Sequence, residues 1–324
     1  MGDSIAKYGE IALQNTPGLG IPVVVEIPLT ADLETILIKL DGSVTISGAP
    51  SALITDGIAN LIDMVELIAD GRDTIISIPF NQLVNGNMFR KKQGSVSQVL
   101  QPLLTVAAQP FSVQAMLDLA AFGAIRPKDS NLRENSYKTL QLKLRFNPAW
   151  SAVFTGGTFS AQTINLAIFA AETIELQDAA GNSTRPIFRA CVSGRDDQFT
   201  GAVVKKQIRL TPEQLLRGIS LRVVNASGVL SDTILSAVRV YVGKDLRYTG
   251  LATNIKALNN TTMQSLPGVG YYFLNFASEH GAPDRLNDGL DLRNVKTLGA
   301  DCIFEYDSSA QGVVNIVQYG YTGL

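Results

Sequence analysis

The sequence predicts an all-β chain built as two tandem β-sandwiches, and three observations lead there. Short β-branched or alternating apolar runs recur along most of the 324 residues, punctuated by Gly, Pro, Asn and Asp. No regular exchange of strands with long helices interrupts them, which argues against a parallel sheet carrying nucleotide-binding loops. A block of sequence near the middle also returns near the end, 158 positions later (281 minus 123).

The first segment predicts a short helix. Ser4 can cap it, Ile5, Tyr8, Ile11 and Ala12 share one side, and Asn15-Thr16-Pro17-Gly18 stops it. Such an arm, residues 4–14, fits packing on a neighbouring subunit or surface and fits packing on its own domain equally well. From residue 21 the texture is that of strands. Residues 21–27 centre on Val23-Val24-Val25; residues 35–40 and 43–47 flank Asp41-Gly42, a tight-turn signal, and residues 64–69 and 74–78 flank a second at Asp70-Gly71. Further strands are predicted at 140–146, 164–169, 187–192, 206–210, 219–224, 237–242, 271–276, 302–306 and 313–319. Helical interruptions are few. Residues 51–60 allow a turn or two, and residues 112–122 fit helix or strand. Thr211-Pro212-Glu213 predicts a short helix over 211–216, with Thr as cap and Pro at the first helical position.

The repeat gives the domain plan. Gly123-Ala124 returns as Gly281-Ala282, Lys138-Thr139-Leu140 as Lys296-Thr297-Leu298, and Phe146 as Phe304. Upstream, Met116-Leu117-Asp118-Leu119 resembles Phe273-Leu274-Asn275-Phe276 with a shift of one residue. The expected organisation is an arm over 1–20, one sandwich over 21–165 and a second over 166–324, with loop composition at Gly156-Gly157 and Ala179-Ala180-Gly181-Asn182-Ser183.

Composition narrows function. Hydrophobic residues make up 46% and charged residues 17%, so the chain can bury a large core and has a low-charge surface, which suits covering by copies of itself. With 27 basic and 29 acidic residues the net charge is −2, and no basic field exists to hold nucleic acid. Arg90-Lys91-Lys92 and Lys205-Lys206 read as solvated turns. The N-terminus lacks the pattern of a secretory signal, and no apolar run reaches the roughly 18 residues of a membrane span. The expectation is a chain made in the cytoplasm.

Catalytic and metal chemistry finds little to use, and no catalytic, cofactor or metal residue is predicted. His280 is the one histidine, so a multi-His site is excluded. Cys191 and Cys302 stand alone in apolar stretches and read as small buried hydrophobes. The glycine turns at 155–158 and 266–270 lack the Lys-Ser/Thr continuation of a phosphate loop. Asp196-Asp197 and Asp284, Asp288 and Asp291 have the oxygen ligands calcium uses, although loop acids are more often solvated. Trp150 and Tyr271-Tyr272-Phe273 read as core rather than as a sugar platform.

Two tandem sandwiches, a short N-terminal helix, few charges and no reactive constellation together resemble the double-jelly-roll major capsid proteins of tailless, internal-membrane bacteriophages, related in architecture to the adenovirus hexon. The resemblance covers nearly the whole chain and rests on architecture, length and repeat. It implies two tandem jelly rolls and a homotrimer of pseudo-hexagonal outline. The trimers would build an icosahedral shell over a lipid membrane, with vertex or minor capsid proteins and membrane lipids as further partners and no cofactor. A carbohydrate-binding or glycan-processing sandwich, and a non-viral shell or fibre subunit, are the competing readings.

Overall fold

A computed structural model describes residues 5–48, 52–90, 99–100, 108–119, 132, 136–174, 188–263, 267–276, 289–293 and 301–323. It divides into two compact units, Met1–Ala120 with Pro127–Arg189, and Ala190–Leu324 with Ala121–Arg126.

In the first unit the long strands are β1 (Ile5–Asn15), β2 (Val23–Glu26), β3 (Asp32–Gly48), β4 (Ile62–Ala69), β5 (Asp73–Pro79), β6 (Ala108–Asp118), β7 (Leu140–Phe146) and β8 (Thr158–Ile174), with helix α1 (Phe80–Arg90) between β5 and β6. One sheet has the order β1-β8-β3-β6 and the other β2-β7-β4-β5. In the second unit the strands are β9 (Phe188–Phe199), β10 (Val203–Arg209), β11 (Leu215–Asn225), β12 (Leu235–Val242), β13 (Asp245–Leu251), β14 (Tyr271–Asn275), β15 (Cys302–Ser308) and β16 (Gly312–Gly323), with helix α2 (Ala252–Met263) between β13 and β14. Their orders are β9-β16-β11-β14 and β10-β15-β12-β13. Adding eight to each strand number of the first unit reproduces the second. Counted over these long strands, each unit is therefore a jelly roll of two four-stranded antiparallel sheets, with its helix inserted at the same point.

The strands form where the residues alternate. Leu140, Leu142, Leu144 and Phe146 of β7 point inward, while Gln141, Lys143 and Arg145 point away, and the expected strand 140–146 is found end to end. Ile36, Ile38, Leu40, Val44 and Ile46 of β3 supply the opposing wall of the first core. In the second unit Leu221, Val223, Val238, Val240, Phe304, Tyr306, Val314 and Ile316 belong to one buried cluster. The Asp70-Gly71 turn joins β4 to β5 as expected. Both residues hold positive φ, 50° and 72°, the backbone of a tight hairpin turn.

The sequence repeat maps onto equivalent strands. Met116-Leu117 and Phe273-Leu274 lie in β6 and β14, the sixth strand of each unit, and Phe146 and Phe304 lie in β7 and β15, the seventh. Gly123-Ala124, Gly281-Ala282 and Lys296-Thr297-Leu298 lie outside the described residues.

Four expectations are corrected. Residues 5–15 are not a helical arm but β1, an edge strand paired with β8 from Ile5↔Ile174 to Asn15↔Asn165, with a bulge between Glu10 and Ala12. The long template of β8 overrides the local helical spacing. The expected boundary at 165/166 falls inside β8, which runs unbroken beside β3, and residues through Arg189 group with the first unit. Asp41-Gly42 is no turn, because β3 continues through it. A Cβ at Gly42 would collide with the Thr163 carbonyl of β8, so this glycine permits close strand approach. Residues 211–216 form no helix: Glu213 has φ 66°, and β11 begins at Leu215. The polar residues of the cap signature instead anchor the loop, where Gln214 is buried and its side-chain amide donates to the Thr211 carbonyl at 2.9 Å.

Of residues 112–122, open between helix and strand, residues 112–118 belong to β6 and 120–122 lie outside the described residues, and the turn expected over 51–60 is a 3-10 turn at Gly57–Leu61. Neither α1 nor α2 was anticipated. Both are rich in Asn and carry no strong apolar stripe, so their helicity comes from packing rather than propensity.

Candidate assembly surfaces

Among the described residues, three of the candidate acids have partners in the fold. Asp197 accepts a hydrogen bond from the Tyr306 hydroxyl at 2.5 Å and pairs with Lys206 at 3.0 Å, and Asp196 accepts from the Asn315 amide at 2.6 Å. Asp291 is paired with Arg293 through both carboxylate oxygens. Asp284, Asp288, His280, Lys91 and Lys92 lie outside the described residues. Cys191 and Cys302 are both free thiols. Burial pushes the Cys302 thiol up to about 12 and raises that of Cys191, so both stay protonated and weakly nucleophilic at neutral pH. Among the described residues no group of three or more His, Cys, Asp or Glu could hold a metal ion.

The aromatics are core. Trp150 is 5% exposed, donates from its indole nitrogen to Gln162 at 2.7 Å, and packs edge-on against Phe111 with ring centres 5.6 Å apart. Tyr271, Tyr272 and Phe273 are buried in β14. No exposed aromatic platform for a sugar forms from these residues.

What remains are sheet faces, edges and helices. On the outward face of β10-β15-β12, Arg239 donates to Glu305 at 3.1 Å and to Asp307 at 2.8 Å. Gln207 donates to the second Glu305 oxygen at 3.1 Å, and the Lys205 backbone N–H donates to Asp307 at 2.7 Å. The strand register generates the row, since Gln207 and Arg239 both stand opposite Glu305. Arg239 is the first cause that holds the Asp307 carboxyl below the usual carboxylate range. This face is covered by polar contacts made within its own sheet.

At one end of the second unit, the β11–β12 connection is tied to α2 and β14 through Asp232. Its carboxylate accepts from the Gly270 backbone N–H at 2.7 Å and pairs with Lys256, whose ammonium also lies 5.1 Å from the Tyr272 ring centre. The buried surroundings of Tyr272, and secondarily the Asp232 charge, push its phenol well above the ordinary value.

The two helices share a device that sequence reading missed. Asn87, the eighth residue of α1, accepts from the Met116 backbone N–H of β6 at 2.5 Å. Asn259, the eighth residue of α2, accepts from the Phe273 backbone N–H of β14 at 3.1 Å and donates to the Phe273 carbonyl at 2.7 Å. Both asparagines are buried. The available signal was the pairing of Met116 with Phe273 in the repeat, combined with an Asn upstream of each.

The two units together define the double-jelly-roll fold. No protein-family model matches the sequence, and no curated protein matches it by sequence. Solved structures do match. Against the major capsid protein of STIV the TM-score is 0.69 at 15% identity, covering 99% of this chain and 97% of that one. Against the atomic structure of Sulfolobus Turreted Icosahedral Virus it is 0.70 at 16% identity, covering 98% and 90%. Against the major capsid protein of bacteriophage PM2 it is 0.61 at 11% identity, covering 99% and 98%. The chain is similar in fold to these proteins along nearly its entire length.

Proposed function

We propose that the protein is a major capsid protein with no enzymatic activity, which forms homotrimers of pseudo-hexagonal outline that tile an icosahedral virion shell. The observation that carries this reading is the eight-strand plan written twice in one chain, matched end to end by viral major capsid proteins. Three copies of a two-barrel chain present six similar barrels, which lets a trimer occupy a six-coordinated lattice position. Low overall charge supports self-association, and Trp150 is buried in the core rather than presented to a substrate. Synthesis in a host cytoplasm, an underlying lipid membrane and contacts with vertex proteins follow from the family resemblance and belong to the same proposal.

The test is size-exclusion chromatography with light scattering on the purified chain, followed by electron microscopy of concentrated material. A species at three times 34.7 kDa that assembles into hexagonal arrays or closed particles is the expected result. A monomer at every concentration would refute it.

A further inference from the structure

The duplicated plan makes each unit a control for the other, and the helices α1 and α2 differ in one respect. Aligned from their first residues, they share buried positions at Phe80 and Ala252, at Leu83 and Ile255, and at Asn87 and Asn259. Elsewhere they diverge. Gln82 and Gly86 of α1 are buried, whereas the equivalent Asn254 and Leu258 of α2 are exposed, Leu258 at 51%. Asn85 is partly buried and the equivalent Ala257 is exposed.

The chain itself covers α1. The β3–β4 connection, residues 49–61, carries the 3-10 turn Gly57–Leu61 against it. Asn81 of α1 donates to Asn60 at 3.1 Å, and Asn85 donates to Asp56 at 3.4 Å. The equivalent β11–β12 connection of the second unit is shorter, residues 226–234, and its Asp232 grips Lys256 at the side of α2. The outer positions Leu251, Thr253, Asn254, Ala257, Leu258 and Asn260 stay exposed, and none of them is charged. A helix face made for water ordinarily carries charge, and depletion of charge marks the centre of protein interfaces.

We infer that the outer face of α2, together with Leu251 at the end of β13, is a contact surface for a second copy of this chain, which supplies there the cover that Asp56 and the 3-10 turn Gly57–Leu61 supply for α1. The chemistry selects this occupant. Nucleic acid or a lipid headgroup would be met by Lys or Arg, which this face lacks, and a strongly charged partner would leave its charges unpaired. A surface with the low charge content of this chain matches uncharged amides, hydroxyls and leucines. The inference rests on the self-assembling shell reading and adds to it the place of one contact.

The test uses the full chain carrying L258C, labelled with a maleimide in dilute dissociated form and again after assembly, with the unsubstituted chain as background for Cys191 and Cys302. At least tenfold slower labelling of the L258C thiol on assembly is expected. In parallel, L258E should melt at the same temperature as the unsubstituted dilute chain yet assemble at least tenfold less. If the unsubstituted chain does not self-associate, the shell reading fails and takes this inference with it. If it assembles while the L258C thiol labels at an unchanged rate, the contact is refuted and the shell reading stands. Protection that appears only when a different protein is added also refutes it. Should L258E fail to fold, the L258C rates decide alone.

Discussion

Arg239 faces two carboxylates, and the balance of that triad sets the acid sensitivity of its sheet. The Glu305 side chain is only 4% exposed, so removing its cation leaves a charge without its compensating partner in a poorly hydrated place. Arg239→Ala should therefore cost about 3 kcal/mol, at the lower end for breaking a buried pair because Arg239 itself is partly solvated. Chemical denaturation at neutral pH reads this directly. Asp307 gives the pH dependence. Its carboxyl is held below the usual range, first by the Arg239 hydrogen bond and then by backbone and Coulombic contacts with Lys205 and Arg239. A depressed folded-state value means that the stabilisation is complete above the unfolded value, about pH 4, and is lost as pH falls through the folded one. Asp70, held down by the Thr139 and Lys138 backbone N–H groups, and Asp291, held down by Arg293, act with the same sign. Melting temperature should be flat from pH 7 to about pH 5 and fall below about pH 4. Asp307→Asn should lower it at pH 7 and flatten part of the acid limb. An acid limb unchanged in that variant would remove Asp307 from the account.

At the scale of elements, the duplicated asparagines join a helix to the strand that follows it. Each accepts from a backbone N–H in the sixth strand of its unit, a donor otherwise left without that acceptor where water is scarce. Asn87→Ala and Asn259→Ala should each cost about 1–3 kcal/mol, and Asn259→Ala also strips a donor from the Phe273 carbonyl. Equilibrium unfolding of the two variants compares them, and a neutral result at either position would show that the resemblance is geometric only. These contacts also show what sequence reading can reach. Strand β7 was legible end to end because Leu140, Leu142, Leu144 and Phe146 face a core and their neighbours do not. The turn at Asp70-Gly71 was legible because its backbone needs positive φ. Asp41-Gly42 carries the same letters, yet there the glycine answers to the Thr163 carbonyl, a partner far along the chain. The helix expected over 211–216 failed for a similar reason, since Gln214 turns inward to bond Thr211 and Gln318. Helices α1 and α2 were illegible because their Asn-rich sequences are ordered by tertiary contacts. The exposed face of α2 was invisible for the same reason: exposure at Leu258 gains meaning only beside burial at Gly86.

For the whole molecule, the first fifteen residues distinguish two accounts of how the first barrel is completed. A detachable arm would add affinity between subunits and leave the barrel intact without it. The observed β1 instead supplies the edge of the β1-β8-β3-β6 sheet, with ten register pairs to β8. At a net of about 1 kcal/mol per backbone hydrogen bond, the lost pairing is of the same order as the 5–15 kcal/mol that stabilises a typical domain. Its removal would also leave the long β8 with an unpaired edge, the form of surface that recruits other strands and aggregates. Deleting residues 1–15 should therefore abolish soluble, cooperatively melting protein, with the loss occurring before assembly begins. Circular dichroism melting and sedimentation of the truncated chain check this. Truncated chains that melt like the full protein and still form trimers, while failing to close particles, would mean that β1 swaps or docks as an arm after the barrel has folded. A soluble product with a misfolded first unit beside a native second unit would overturn the expected loss of solubility and confine the damage to the first core, because the second jelly roll carries its own complete set of eight strands.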